Sequence, residues 1–454
     1  MPLAATASKS SATSSYQEFV NPHWVRLLNV LDLNVRYTRC EGAELFTNDG
    51  RRVVDFLSGY CVHNAGHNHP EIVAALKDEL DRGGPAMLQS HVPELAGELA
   101  EKLCSRAGGR LNKAFFCSSG SEGVEAAIKF SRARTGRHSI VYAHGAFHGL
   151  TCGAMSLMDD PFWTEGFGPM LPDTHAVPFG DLEALGARLA GRRAAAFIVE
   201  PIQSEAGVRV PPASYLENAR ELCRRFGTLF VLDEVQTGLH RTGPFLASQT
   251  CHADPDMVVL AKALSGGLIP SGAVLLTGDI YQAVYGSLRR AIVHTSTFSE
   301  NGLAMRAGLA AIEVLERGRL GERAAALGSY LRERLRDALS DYEMVKEVRG
   351  AGLLNGIEFA KPASLKLRVP FEAFHQIHPG MFGQVLVMRL FRRGFLTQIC
   401  GNHFMVLKAA PPLVIDQRHV DQFVDAVREV VDEMHHSTGF WTEALGMARR
   451  VMNI

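Results

Sequence analysis

Short apolar runs rich in β-branched and aromatic residues recur along the middle of the chain, at 113–117, 139–142, 195–199, 229–232, 257–260 and 273–276. Between them lie stretches with apolar residues at helical spacing, among them 71–81 and 93–107. The run FIVE (197–200), a helix over 215–226 and the run LFVLDE (229–234) form the clearest strand–helix–strand unit. Repeated units of this kind make right-handed crossovers, and these predict a largely parallel sheet covered by helices on both faces. Before residue 70 the text is mixed, with strand-like GAELF (42–46) and RVVDFL (52–57) separated by the turn signal Asn48-Asp49-Gly50. Towards the other end, one long helical stretch over 312–339 leads into a strand-like run, VRGAGLLNGIEF (348–359), and a helix over 416–435. These predict a smaller α+β lobe. The mildly amphipathic stretch 441–454 is expected to pack on the protein.

A length of 454 residues predicts two to three domains, or one large two-lobed enzyme. Lys and Arg number 47 against 48 Asp and Glu, a net charge of −1, so the broad positive field that draws a protein onto nucleic acid or anionic lipid is missing. With 46% hydrophobic and 21% charged residues the chain can build a sizeable core, which excludes disorder as its main state. No apolar run approaches the roughly 18 residues of a spanning helix, so no membrane partner is expected. The cysteines at 40, 61, 104, 117, 152, 223, 251 and 400 stand singly with no CxxC pair, which fits a reducing compartment and a cytoplasmic location. Residues 1–15 have neither the apolar core of a secretory signal nor an arginine, and are expected to be a disordered lead-in.

In a doubly wound sheet, ligands bind just beyond the carboxyl ends of the strands. One such end here carries Asp233 and, shortly after, Gln236; another runs into Lys262; a third opens into Cys117-Ser118-Ser119-Gly120-Ser121 ahead of a helix. A Ser/Gly turn at a helix N-terminus is a phosphate site. An anion cradle, a carboxylate and an amine together suit pyridoxal phosphate, whose carbonyl takes a lysine and whose ring nitrogen takes an aspartate. Singly, each has a duller reading: Lys262 as a solvated charge, Asp233 as a turn residue, the Ser-rich turn as a simple N-cap.

In this order the motifs resemble the class III (ω-type) pyridoxal-phosphate aminotransferases of fold type I, the group of ornithine and 4-aminobutyrate aminotransferases. The matching stretches are DGRRVVDFLSGYCVHNAGHNHP (49–70), SSGSEGVEAAIKFSR (118–132), GAFHGLT (145–151), EPIQSEAGV (200–208), LDEVQTG (232–238), LAKALSGG (260–267), HTSTFSEN (294–301) and APPLVI (410–415). The resemblance implies a large domain with a mostly parallel seven-stranded sheet over 70–335, and a small α+β domain made of 16–69 and 336–454. It implies that Lys262 holds the cofactor as a Schiff base and then moves the proton between Cα and C4′, while Asp233 pairs with the ring nitrogen. Gln236 would approach the ring hydroxyl, Phe147 would stack on the ring with His148 beside it, Ser119, Gly120 and Ser121 would hold the phosphate, and Glu200 would complete the cofactor site. Thr297 would reach the phosphate of a neighbouring subunit, which implies a homodimer with shared sites. The products would be an aminated 2-oxo acid and a carbonyl compound.

Substrate choice rests on departures from the family pattern. Lys408 stands where the ornithine and 4-aminobutyrate branches carry a carboxylate-binding arginine, and a lysine offers a point charge in place of a fork. Glu205 matches the glutamate that pairs with that arginine. Two readings stand open: a Glu205–Lys408 switch that binds substrate carboxylate, or a purely structural pair. Tyr60 matches a site-lining tyrosine, while an aliphatic residue, near Val30, takes the place of a second one. This argues against a dedicated ornithine enzyme and for a less polar amine. The segment 361–381 either lines a channel for a bulky amine or packs on the small lobe. Ser299-Glu300-Asn301-Gly302 replaces the usual Gly-Gly-Asn-Pro. The spacing of His63, His67 and His69 could ligate zinc in isolation, but the resemblance puts them in a turn beside the site and no metal is expected. The expected activity is transfer from a diamine, ω-amino acid or long amino alcohol to a 2-oxo acid such as pyruvate or 2-oxoglutarate. The alternative is a lyase acting on a phosphorylated amino alcohol. A catalytically idle scaffold is the third reading, and the intact Lys262, Asp233 and Gln236 argue against it.

Overall fold

The apolar runs become strands because both of their faces are covered. In the computed structural model, which describes residues 11–88 and 90–452, the strands Ser139–Ala143, Ala194–Val199, Met257–Leu260 and Gly272–Thr277 are buried at every position. They belong to a seven-stranded sheet ordered Leu111–Cys117, Gly272–Thr277, Met257–Leu260, Leu229–Asp233, Ala194–Val199, Ser139–Ala143, Thr174–Val177. Neighbours are parallel except at Gly272–Thr277, which runs antiparallel to both of its partners. Those two reversals cancel. The carboxyl ends at Cys117, Val199, Asp233 and Leu260 therefore emerge on one side of the sheet, together with the amino end of Gly272–Thr277. Helices cover both faces, giving the expected α/β architecture.

The helix Gly120–Thr135 sits unusually close to this sheet. A Cβ on Gly123 would stand 2.6 Å from Val259 Cγ1, so only glycine permits the approach. Its far end is closed by Gly136 in the left-handed region. Apolar side chains sealed between the layers, such as Phe130, Phe197 and Phe230, each contribute about 1.5–3 kcal/mol relative to exposure.

Two smaller four-stranded sheets lie outside this core. One is ordered Tyr37–Glu41, Glu44–Thr47, Arg52–Asp55, Phe395–Leu396, and its last strand pairs in parallel with Arg52–Asp55. The other is the antiparallel set Val345–Ala351, Leu354–Phe359, His403–Ala409, Gln398–Cys400. Phe56 stacks on Phe423 of the helix Gln417–His436 at 3.9 Å and meets Phe395 edge-on at 5.7 Å. Segments from the two ends of the chain thus share one packed core.

Several elements differ from the sequence reading. Thr174–Val177 has no apolar run because it is an edge strand with one buried residue. The long helix over 312–339 is two helices, Gly302–Arg317 and Leu320–Leu339, broken at Gly318 and at Arg319, whose φ is 48°. The run 348–359 belongs to a hairpin, turned at Gly352 with φ 51°. Of the lead-in 1–15, residues 1–10 lie outside the described residues and 11–15 open the helix Ser11–Phe19. Among the described residues no helix is long and apolar enough to cross a membrane.

Candidate active site

Lys262 follows the strand Met257–Leu260 and enters a short helical turn, Lys262–Ser265, with φ at 47°. Left-handed backbone costs a non-glycine residue about 1–2 kcal/mol, and such strain persists only where the surroundings fix it. Here Gly266 follows in the same region, and a Cβ on it would meet Ile72 Cδ1 at 2.5 Å. Lys262 lines a cavity of about 430 Å³ at the strand ends. Burial holds its amine below the usual lysine range, against the opposing pull of Cys61, Asp233 and Glu205.

Asp233 ends the neighbouring strand Leu229–Asp233. Its Oδ2 lies 2.7 Å from Nδ1 of the buried His148, and its Oδ1 accepts the Val235 N–H at 3.1 Å. Burial alone would lower the His148 pKa, but the Asp233 carboxylate outweighs it and the net shift is upward. Glu200, one residue past Ala194–Val199, accepts the Phe147 N–H and the Ser204 N–H, each at 3.1 Å. Burial pushes its carboxyl up to about 7. It therefore fixes the backbone of Phe147, whose ring lies edge-on to Trp163 at 5.2 Å.

The anion cradle opens the helix Gly120–Thr135. Ser119 caps it by accepting the Glu122 N–H at 3.2 Å, and Glu122 accepts the Ser118 N–H at 2.8 Å. The leading N–H groups of Gly120 and Ser121 have no carbonyl one turn back, so they are available to phosphate oxygens. Gly149 presses against this cradle, since a Cβ on it would fall 2.0 Å from Ser121 Oγ. The cavity also exposes two buried polar atoms without protein partners, His148 Nε2 and Ser271 Oγ. An amine, a carboxylate–imidazole pair, a helix-end cradle and orphaned polar atoms around one cavity fit pyridoxal phosphate.

From Gln236 a hydrogen-bond chain runs to the remaining candidates. Ser204 Oγ donates to Gln236 Oε1 at 3.0 Å, and Gln236 Nε2 donates to Glu205 Oε1 at 3.1 Å. The same Glu205 oxygen takes Lys408 Nζ, while Oε2 accepts the Gly401 N–H at 2.8 Å. Lys408 is fully buried and its Nζ lies 5.3 Å from the centre of the Tyr60 ring. Burial opposes both charges, yet each holds the other ionised: Glu205 is shifted down and Lys408 up. Tyr60, Glu205 and Lys408 are thus joined to the cavity through Gln236 without lining it.

Thr297 is exposed and does not line this cavity. Asn301 in the departing motif caps Gly302–Arg317 by accepting the Ala304 N–H at 2.8 Å. Val30 is half-buried against the main core. His67 gives Nε2 to Asp55 at 2.7 Å and stacks on His63 at 3.9 Å, and among the described residues no group of three potential ligands converges on a metal position. The segment 361–381 contains the helix Leu365–Ile377, whose Phe371 packs on Trp441, and none of its residues lines the cavity. Ser204, Ser271 and Asn402 escaped the sequence reading. Asn402 accepts from Trp163 Nε1 at 2.7 Å and donates to the Gly145 carbonyl at 3.1 Å. Ser204 lies inside the EPIQSEAGV motif and was legible there; Asn402 carries no local signal.

The family model described as aminotransferase class-III matches residues 28–431. The aminotransferase PigE of Serratia sp. is 36% identical over 95% of this chain, which spans about half (54%) of that protein's length. The putrescine aminotransferase of Pectobacterium atrosepticum is 34% identical, with 94% of this chain and 90% of that protein covered. Among solved structures, a PLP-bound amine transaminase from an uncultivated Pseudomonas species aligns with TM-score 0.78 and 28% identity over 94% of this chain and 97% of that one.

Proposed function

From a chain that belongs to the class III aminotransferases, we propose an enzyme that moves the amino group of a diamine, ω-amino acid or long amino alcohol to a 2-oxo acid such as pyruvate or 2-oxoglutarate. Its cofactor is pyridoxal phosphate, which when bound supplies an electron sink for the charge left at Cα after proton loss. Lys262, a half-buried amine with a lowered pKa, would hold the cofactor and take up and return the proton. Asp233, oriented by His148, would pair with the ring nitrogen. The Gly120 and Ser121 N–H groups would hold the phosphate. Phe147, fixed by Glu200, would cover the ring, and Gln236 would approach its hydroxyl.

The observation that carries the substrate reading is the closed Glu205–Lys408 pair. With Lys408 matched by Glu205 behind Gln236, an amine donor lacking a carboxylate meets no unpaired cation from this pair. When the pair opens, Lys408 offers its charge to the oxo acid. The name of the putrescine aminotransferase supports a diamine among the donors. Nothing favours the lyase alternative; the named relatives are aminotransferases.

The shared-site homodimer belongs to the same proposal. Exposed Leu88 and Ile292 line a groove of about 710 Å³. Exposed Val92 and Phe298 adjoin its lining residues His91, Pro93 and Ser299 in the chain, and Thr297 follows the lining residue Ser296. Large exposed apolar side chains at a groove suit burial against a second copy. Unpaired cysteines among the described residues support a cytoplasmic location.

The test is a visible spectrum of the cofactor-loaded protein with Lys262→Ala alongside, recorded on adding a panel of amines and then a 2-oxo acid. The expected result is a cofactor band lost with a terminal amine and restored by the oxo acid, and neither change in Lys262→Ala. A wild-type band that ignores every amine would overturn the proposal.

A further inference from the structure

Arg241 has no place in the chemistry above, yet its side chain is fully buried. Its guanidinium meets no carboxylate within hydrogen-bond reach among the described residues. Nη1 donates to the Leu353 carbonyl at 3.0 Å and to the Pro411 carbonyl, and Nη2 donates to Ser58 Oγ at 3.1 Å and to Asn64 Oδ1. A buried cation facing only neutral acceptors is costly, and a guanidinium alone among side chains sends donors to four acceptors in a fixed plane. The acceptors belong to three separate parts of the chain. Asn64 closes the ring by donating to the Leu239 carbonyl at 2.8 Å, and Ser58 Oγ donates to the Ala410 carbonyl at 2.7 Å.

Two of these parts carry substrate-site residues. Ser58, Gly59, Tyr60 and Cys61 have φ of 46°, 60°, 60° and 70°, four left-handed residues in succession. Three of them are not glycine, so the turn does not hold itself. Asp55 Oδ1 fixes its start by accepting the Leu57 and Ser58 N–H groups at 2.8 Å each. Arg241 fixes it from the side. Ala410 and Pro411 directly follow the strand His403–Ala409 that carries Lys408. One guanidinium therefore spans the turn bearing Tyr60 and the strand end bearing Lys408, the two groups that meet at 5.3 Å beside Glu205.

We propose that Arg241 is a positioning residue for substrate recognition, which holds the left-handed turn 58–61 and the end of the Lys408 strand so that Tyr60 and Lys408 keep their mutual placement. The inference rests on the aminotransferase reading. Its range of effect is the Tyr60–Glu205–Lys408 group behind Gln236; Asp233, Lys262 and Gly120 stand on other elements.

The experiment compares the wild-type holoenzyme with Arg241→Lys, Ser58→Ala, Tyr60→Ala and the Arg241→Lys/Tyr60→Ala double variant. KM and kcat for a diamine, the cofactor band and thermal unfolding are read for each. Arg241→Lys keeps the charge and loses the fork. The expected result is an unchanged cofactor band with the amine KM raised roughly 10- to 100-fold, the scale of an ångström-sized misplacement. Ser58→Ala shifts KM the same way by less, and the double variant is no worse than Tyr60→Ala alone, because the two act as one unit. Additive losses in the double variant, or an amine KM unchanged in Arg241→Lys, would overturn the proposal. Where Arg241→Lys fails to fold, Ser58→Ala decides: a normal amine KM there overturns it. These outcomes presuppose a wild type that turns over amines; one that does not overturns the function and this inference together.

Discussion

Removing the Lys408 amine while keeping its bulk, as in Lys408→Met, leaves the Glu205 carboxylate buried with only the Gly401 and Gln236 donors. Breaking a buried pair from one side costs about 3–5 kcal/mol. Denaturant unfolding should show that loss for Lys408→Met and recovery of most of it in Glu205→Gln/Lys408→Met, where neither charge remains. A loss below about 1 kcal/mol, the scale of an exposed pair, would contradict the burial seen here. Glu205 and Lys408 could be paired from sequence because each matches a position of the family pattern, and the structure joins them. Lys262 and Asp233 were legible for the same reason, as chemistry standing at strand ends. Arg241, Asn402 and Ser271 were not. Their roles come from acceptors and surfaces far away in the chain, and an arginine bound to carbonyls reads like any solvated arginine until the fold is known.

At the scale of elements, the proposed phosphate cradle depends on how tightly a loop and a helix end pack. Gly149 has φ 115°, and its missing Cβ leaves the space that Ser121 Oγ fills. Gly149→Ala is therefore expected to push the loop off the helix N-terminus and weaken cofactor binding at least about tenfold, about 1.4 kcal/mol. Cofactor retained after dialysis, read from the visible band, checks this, and wild-type retention would refute it. The four fully buried strands of the large sheet were legible because full burial leaves apolar runs without alternation. Thr174–Val177 was not, since an edge strand has little to bury. The break at Gly318-Arg319 and the hairpin at Gly352 were also missed. In both, apolar spacing continues across a turn that a single left-handed residue makes.

For the whole molecule, the proposed dimer makes a quantitative expectation. Lys262→Ala and Thr297→Ala protomers, refolded or co-expressed together, should form mixed dimers in which one of two sites has both an intact lysine and an intact partner threonine. At equal amounts, activity about a quarter of wild type is expected above the sum of the separate variants; strict additivity of the two would contradict shared sites. The small sheets outside the large one were legible in the sequence as changes of pattern toward both ends of the chain, but the pairing that joins the ends was not, because Phe395–Leu396 is a two-residue strand. That pairing also sets a timetable. Val54 waits for Phe395 before its sheet is complete, and at ribosomal speeds of about 5–20 residues per second the interval is roughly 20–70 s. Throughout it the edge of Arg52–Asp55 stands open on the nascent chain, so slow elongation lengthens its exposure to chaperones and to aggregation, and a C-terminal truncation before residue 395 leaves it open for good.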